Sequence, residues 1–139
     1  MMRFMILVKA TKDSEAGVMP EDDKLFQEMA AYHEELAKAG VLLDGSGLQP
    51  SSKGWRVRYE GKKRSIIDGP FAETKELVAG YTLIQVKSRE EALEWSRRFP
   101  NPNIDGSDCE IEVRQLYELD DFPQNDTIER FREIGIGGA

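Results

Sequence analysis

Histidine and cysteine are almost missing from this chain: His33 and Cys109 are the sole residues of each kind. A lone cysteine rules out an intramolecular disulfide and a cysteine metal cluster. A lone histidine rules out a multi-histidine metal site within one chain. Long apolar runs are missing too. Phe4–Met5–Ile6–Leu7–Val8 is too short for an exported leader and is closed by Lys9. Nothing approaches the ~20 apolar residues of a membrane span. The expectation is a soluble, cytoplasmic protein with no membrane partner, no metal and no resident cofactor.

Positive charge is the other shortage. The formal net charge is −7. That argues against a nucleic-acid partner, because phosphate affinity comes from clustered Lys and Arg that release counterions. Lys62–Lys63–Arg64, with Arg56 and Arg58 just before it, is the local exception. We read it as a hairpin tip with a charged outer face rather than an anion site.

What is present fits one domain. A compact chain of 139 residues removes roughly two-thirds of its unfolded surface from water, enough for a core without disulfides or metals. The apolar fraction of 40% and the charged fraction of 32% are those of a globular protein. Arg3–Lys9 reads as a central strand buried on both sides, and Thr11–Met19 as a loop. Pro20 and the acidic Glu21, Asp22 and Asp23 announce a helix that runs to Ala39, with Leu25, Met29, Tyr32 and Leu36 on its apolar stripe and His33 at the edge. Gly40 is its left-handed stop.

Val41–Leu43 is a short strand, broken by Asp44–Gly45–Ser46–Gly47. Trp55, Val57 and Tyr59 alternate with charged residues, and Lys63–Asp68 returns as their hairpin partner. Tyr81–Val86 is a further strand. Ser88 and Glu91 have capping-box spacing at the start of a second helix, whose narrow apolar side is Leu93, Ser96 and Phe99, with Ala92 and Trp95 flanking. Ile111, Val113, Tyr117 and Leu119 alternate with Glu110, Glu112, Arg114 and Glu118 in the last strand, an alternation that Gln115 and Leu116 break.

Two β-α-β halves with an inserted hairpin predict an α+β, ferredoxin-like split βαβ plan, with both helices on one face of an antiparallel sheet. The other face carries apolar residues as well, so a second copy packed against it, a homodimer, is expected. The domain spans residues 1–122. Residues 123–139 form a tail with a short helix inside Asn125–Ile134, for which Asp126 is the N-cap candidate.

The most distinctive segment is Asp68–Gly69–Pro70–Phe71–Ala72–Glu73–Thr74–Lys75–Glu76. Asp68 closes a strand and is able to bond backbone N–H groups ahead of it. Gly69 permits a close approach, and Pro70 restrains the turn. Phe71 either anchors the loop or lines a cavity. Asp68 is the first candidate for a general base or ligand anchor, helped by partial burial; its plain alternative is a turn-shaping cap. Glu73 and Lys75 are able to orient a polar ligand or to form a surface ion pair, and Thr74 to bond a ligand or a turn. His33 is the natural proton-transfer group near neutral pH, set against an ordinary packed histidine. Tyr81 and Phe71 are candidates to line an apolar cavity. Arg114 becomes a carboxylate binder if a dimer buries its face.

Other segments carry less. Asp44–Gly45–Ser46–Gly47 lacks the following helix and the lysine of a phosphate loop. Ser46 has no histidine at a motif spacing. Cys109, between Asp108 and Glu110, does not suit a reactive thiolate.

The nonamer resembles the signature of the DGPF-type proteins of the YCII-related family, and here it is unbroken. The first strand, the helix ending in Ala39–Gly40, the segment Gly80–Tyr81–Thr82–Leu83–Ile84 and Glu112–Val113–Arg114 ending near Phe122 are similar too, so the likeness covers roughly residues 3 to 122. It implies a ferredoxin-like, dimeric α+β barrel. It attaches no firm activity. Some DGPF members are found beside extracytoplasmic-function sigma factors, which implies a regulatory link to a sigma factor. Smaller YciI-like relatives have been assigned a histidine–aspartate enzyme site. Counted back from the helix-ending glycine, their histidine falls near Met29, about one turn before His33, so the transfer is not direct.

Two functions follow as expectations. One is a dimeric small-ligand-binding or regulatory module with Gly69, Pro70, Phe71, Glu73, Thr74, Lys75, Tyr81 and Arg114 at its site. The other is a cofactor-free enzyme in which Asp68, with His33 or Tyr81, performs acid–base chemistry on a small polar substrate.

Overall fold

The computed structural model describes residues 1–138. A four-stranded antiparallel sheet is built from β1 (Met2–Lys9), β2 (Leu42–Gly47), β5 (Val78–Val86) and β6 (Ile111–Gln115) in the order β2-β5-β1-β6. Helices α2 (Lys24–Lys38) and α3 (Arg89–Arg97) supply the crossovers of the two halves. Strands β3 (Trp55–Glu60) and β4 (Lys63–Asp68) form a separate two-stranded hairpin inserted between β2 and β5. The arrangement is α+β and compatible with the ferredoxin-like plan. No helix among the described residues is long and apolar enough to cross a membrane.

Strand alternation sorts the side chains. Phe4 and Ile6 of β1, Ile84 and Val86 of β5, and Tyr32 and Leu36 of α2 meet Val41 and Ala92 in one buried core. Ile111 and Val113 pack at its edge. Met5, Leu7 and Leu83 stay partly exposed on the other face of the sheet.

Several elements depart from expectation. Pro20 does not begin the helix: α2 starts at Lys24, after Asp23. Within the presumed loop Thr11–Met19, Thr11 and Ser14 cap each other across the one-turn helix α1 (Lys12–Glu15). β2 runs on through Asp44–Gly45–Ser46–Gly47, because its ladder with β5 compensates for weak intrinsic propensity, at a register shift between Leu42 and Asp44. β5 begins three residues earlier than Tyr81. β6 ends at Gln115, and Leu116 N–H still donates to the Arg3 carbonyl. On α3 the buried face is Ala92 with Trp95 and Phe99, while Leu93 is exposed. Ser88 caps that helix through Glu91 N–H, but Glu91 reaches back to Lys87 N–H rather than to Ser88.

Gly40 has φ +74°, the left-handed stop that α2 needs. In the tail, α4 (Asp126–Glu133) is capped by Asn125, one residue before the expected Asp126. Arg132 ties this helix to Asp120 at 2.7 Å.

Candidate functional site

The distinctive nonamer sits at the root of the β3–β4 hairpin. Glu15 accepts hydrogen bonds from both the N–H and the hydroxyl of Ser51. The Ser51 Oγ in turn accepts from Phe71 N–H at 3.1 Å. Gly69 N–H donates to the Gly54 carbonyl at 3.0 Å, and the Gly69–Pro70 peptide is cis. A Cβ on Gly69 would overlap the Ser51 carbonyl, so glycine is required there by close backbone approach. The Arg56 guanidinium lies 3.7 Å from the centroid of the Phe71 ring, a cation–π contact that seats the half-buried phenylalanine. The loop is therefore a strut that fixes the direction of the hairpin.

A groove of about 490 Å³ lies elsewhere, between α2 and the β2–β5 edge of the sheet. Leu25, Phe26 and Met29 of α2, Val8 of β1 and Pro102 form its apolar walls. Gly45, Gly47 and Gly80 leave the strand backbone bare along its floor. His33 and Thr82, with Ser46 and Tyr81, supply its polar groups. His33 Nδ1 lies 2.7 Å from the Met29 carbonyl oxygen, which can only accept. Nδ1 therefore carries the proton in the neutral ring. Nε2 then accepts from the Thr82 hydroxyl at 2.8 Å. Thr82 is 2% exposed, held at an inward position of β5 between Gly80 and Ile84. Behind His33, the buried Tyr32 hydroxyl donates to the Trp95 carbonyl at 2.7 Å. Burial pushes its phenol up to about 12, against an opposing pull from Arg98 and with a smaller push from Glu35.

A second cavity, about 620 Å³, opens where β1 ends. Thr74 and Lys75 of the nonamer line it with Lys9 and Lys12. Asp108 and Glu110 balance those lysines across the cavity, and Lys9 lies 3.7 Å from Glu112, so the charges there largely offset one another.

The expected site residues are thus divided. Asp68 is exposed at the end of β4 and outside the lining of both cavities, without the partial burial anticipated for it. Gly69, Pro70 and Phe71 belong to the strut. Glu73 precedes the short turn Thr74–Glu76 and is exposed. Tyr81 borders the groove, but its phenol donates to Asp44 Oδ2 at 2.9 Å. Arg114 is exposed and paired with Glu112 at 3.3 Å. Only His33 and Tyr81 of the named candidates meet at the groove. Thr82 was missed; its signal is a lone hydroxyl among the inward positions Gly80, Thr82, Ile84 and Val86.

Fold and groove together define an α+β protein with an antiparallel sheet, a helix-covered core and a small apolar-walled groove. The chain belongs to the YCII-related domain family, which it matches over residues 2–119. It is also 31% identical over 103 residues to an uncharacterized protein of Rhizobium meliloti (strain 1021), covering 74% of this chain and 83% of that protein.

Proposed function

We propose that this chain is a DGPF-type member of the family that acts as a dimeric small-ligand-binding module in a regulatory role, with its ligand in the α2–β2–β5 groove. The observation that carries this reading is the His33–Thr82 pair set in apolar walls over a glycine floor. Such a groove suits a small molecule with an apolar body and one polar group aimed at the Thr82 oxygen, which keeps accepting capacity while it donates to His33. The partly exposed Met5, Leu7 and Leu83 on the helix-free face support a second copy packed sheet to sheet. A regulatory link to a sigma factor rests on the family resemblance alone, and co-purification with that factor checks it.

The enzyme reading needs Asp68 to converge with His33 or Tyr81. Asp68 is exposed at the hairpin root, the Tyr81 phenol is engaged by Asp44, and both His33 nitrogens are bonded. Binding therefore fits this arrangement better than proton transfer.

A thermal-shift screen of small metabolites on the native chain, Gly45→Val and Asp68→Asn tests it. A Cβ on Gly45 meets the Tyr81 carbonyl oxygen at 3.5 Å and His33 Nε2 at 3.7 Å, so the Cβ itself fits and the valine methyl groups beyond it take up groove space. A binder at ~100 times its dissociation constant adds about 2.7 kcal/mol. The expected result is a shift in the native chain and in Asp68→Asn that disappears in Gly45→Val. A shift lost in Asp68→Asn and kept in Gly45→Val would move the site to the hairpin root and revive the enzyme. If no compound shifts the native chain, the small-ligand reading fails.

A further inference from the structure

The Trp55–Val57–Tyr59 face of the β3–β4 hairpin has no cover among the described residues. All six residues of β3 are exposed, and neither strand joins the four-stranded sheet. Cross-strand pairing puts Val57 directly opposite Ile66, with Trp55 and Tyr59 two residues to either side on the same face. Trp55 is 64% exposed, Tyr59 65% and Ile66 71%. An isolated two-stranded hairpin is at best marginally stable in water and needs a further strand or a packed element on its apolar face. Among the described residues the chain does not provide one for this face. The Glu15–Ser51–Phe71 strut and the packing of Gly69 on the Ser51 carbonyl hold the hairpin out from the body.

Charge identifies the occupant. Residues 55–68 hold five Lys and Arg against two Asp and Glu, which leaves fourteen against twenty-four in the rest of the chain. The hairpin is a basic projection on an acidic body. A polyanion such as nucleic acid would be drawn to the arm but repelled by that body. The body of another copy offers the opposite sign to the arm and, by symmetry, presents its own arm in return.

We propose that the hairpin is an exchange arm whose Trp55, Val57, Tyr59 and Ile66 face lies against a second copy of this chain. Each aromatic side chain buries on the order of 150–250 Å². With the partner surface that they cover, two reciprocal arms approach the ~1,200–2,000 Å² typical of specific interfaces. The nonamer then has a function apart from ligand chemistry: it aims the arm. This deepens the dimer part of the proposed function and rests on it.

Sedimentation and hydrogen exchange on the full chain test the idea, comparing native protein with Ile66→Lys. Ile66 is exposed in the single chain, so lysine there does not disturb the fold. The native chain is expected to dimerise, with exchange over residues 55–68 slowing as protein concentration rises. Ile66→Lys is expected to weaken self-association roughly tenfold or more. Rising salt is expected to weaken the native dimer through the arm charges. If the native chain dimerises but residues 55–68 exchange at the same rate at every concentration, and Ile66→Lys associates equally well, the arm is overturned while the sheet-to-sheet dimer stands. If the native chain is monomeric at all concentrations, both the arm and the dimer fall.

Discussion

Among the described residues Thr82 is the one buried polar side chain apart from tyrosine, and its hydroxyl donates to Nε2 of the only histidine. Replacing it by the near-isosteric valine keeps the packing but leaves His33 Nε2 without a donor. Thr82→Val is expected to cost about 1–2 kcal/mol, seen as a lower urea midpoint with an unchanged slope. Tyr32 gives a pH signature. Its phenol is raised from the ordinary 10.0 to about 12 in the folded chain. Below pH 10 it is protonated folded and unfolded, and its contribution is complete. Between 10 and 12 the unfolded chain gives up the proton first, so stability falls as pH rises, by on the order of 2 kcal/mol. Urea titrations across that window should show the decline in native protein and lose this component in Tyr32→Phe.

At the scale of elements, the helix-covered core and the hairpin have different fates. Ile6, Leu36, Ile84 and Val86 are fully buried and interlock α2 with two strands. The hairpin depends on its root. Gly69→Ala drives a methyl group into the Ser51 carbonyl, and the cheapest relief is movement of the strut rather than of the sheet. The expected outcome is faster amide exchange across residues 49–77 with β1 and β5 protected as before, and a loss of about 1–3 kcal/mol in global stability. Equal loosening of the whole sheet would show that the strut is part of the core and not a separate support.

For the molecule as a whole, the helix-free sheet face and the uncovered arm both leave apolar surface exposed on a chain with net charge −7. A folded state completed by a second copy is stabilised by mass action. The thermal midpoint of the native chain should therefore rise with protein concentration, and that rise should flatten in Ile66→Lys. A midpoint independent of concentration in dilute and concentrated samples alike would mean that the isolated chain is already complete.

Local chemistry was enough for several of the elements. Apolar period placed α2 and its buried Tyr32 and Leu36, Gly40 ended it, and alternation marked the hairpin and β6, because these features depend on residues a few positions apart. The nonamer was also legible as a place with special backbone demands, and Gly69 does meet the Ser51 carbonyl as a close approach requires. What that loop serves was not legible, since its partners Glu15 and Ser51 come from segments with no sequence relation to it. The continuation of β2 through Asp44–Gly47 depended on a ladder with β5, which outweighs low strand propensity. The groove was decided by tertiary structure alone. His33 and Thr82 are 49 residues apart, and only the docking of α2 on the sheet brings an imidazole to that hydroxyl, whereas Asp68, prominent in the sequence, is carried away from it by the hairpin.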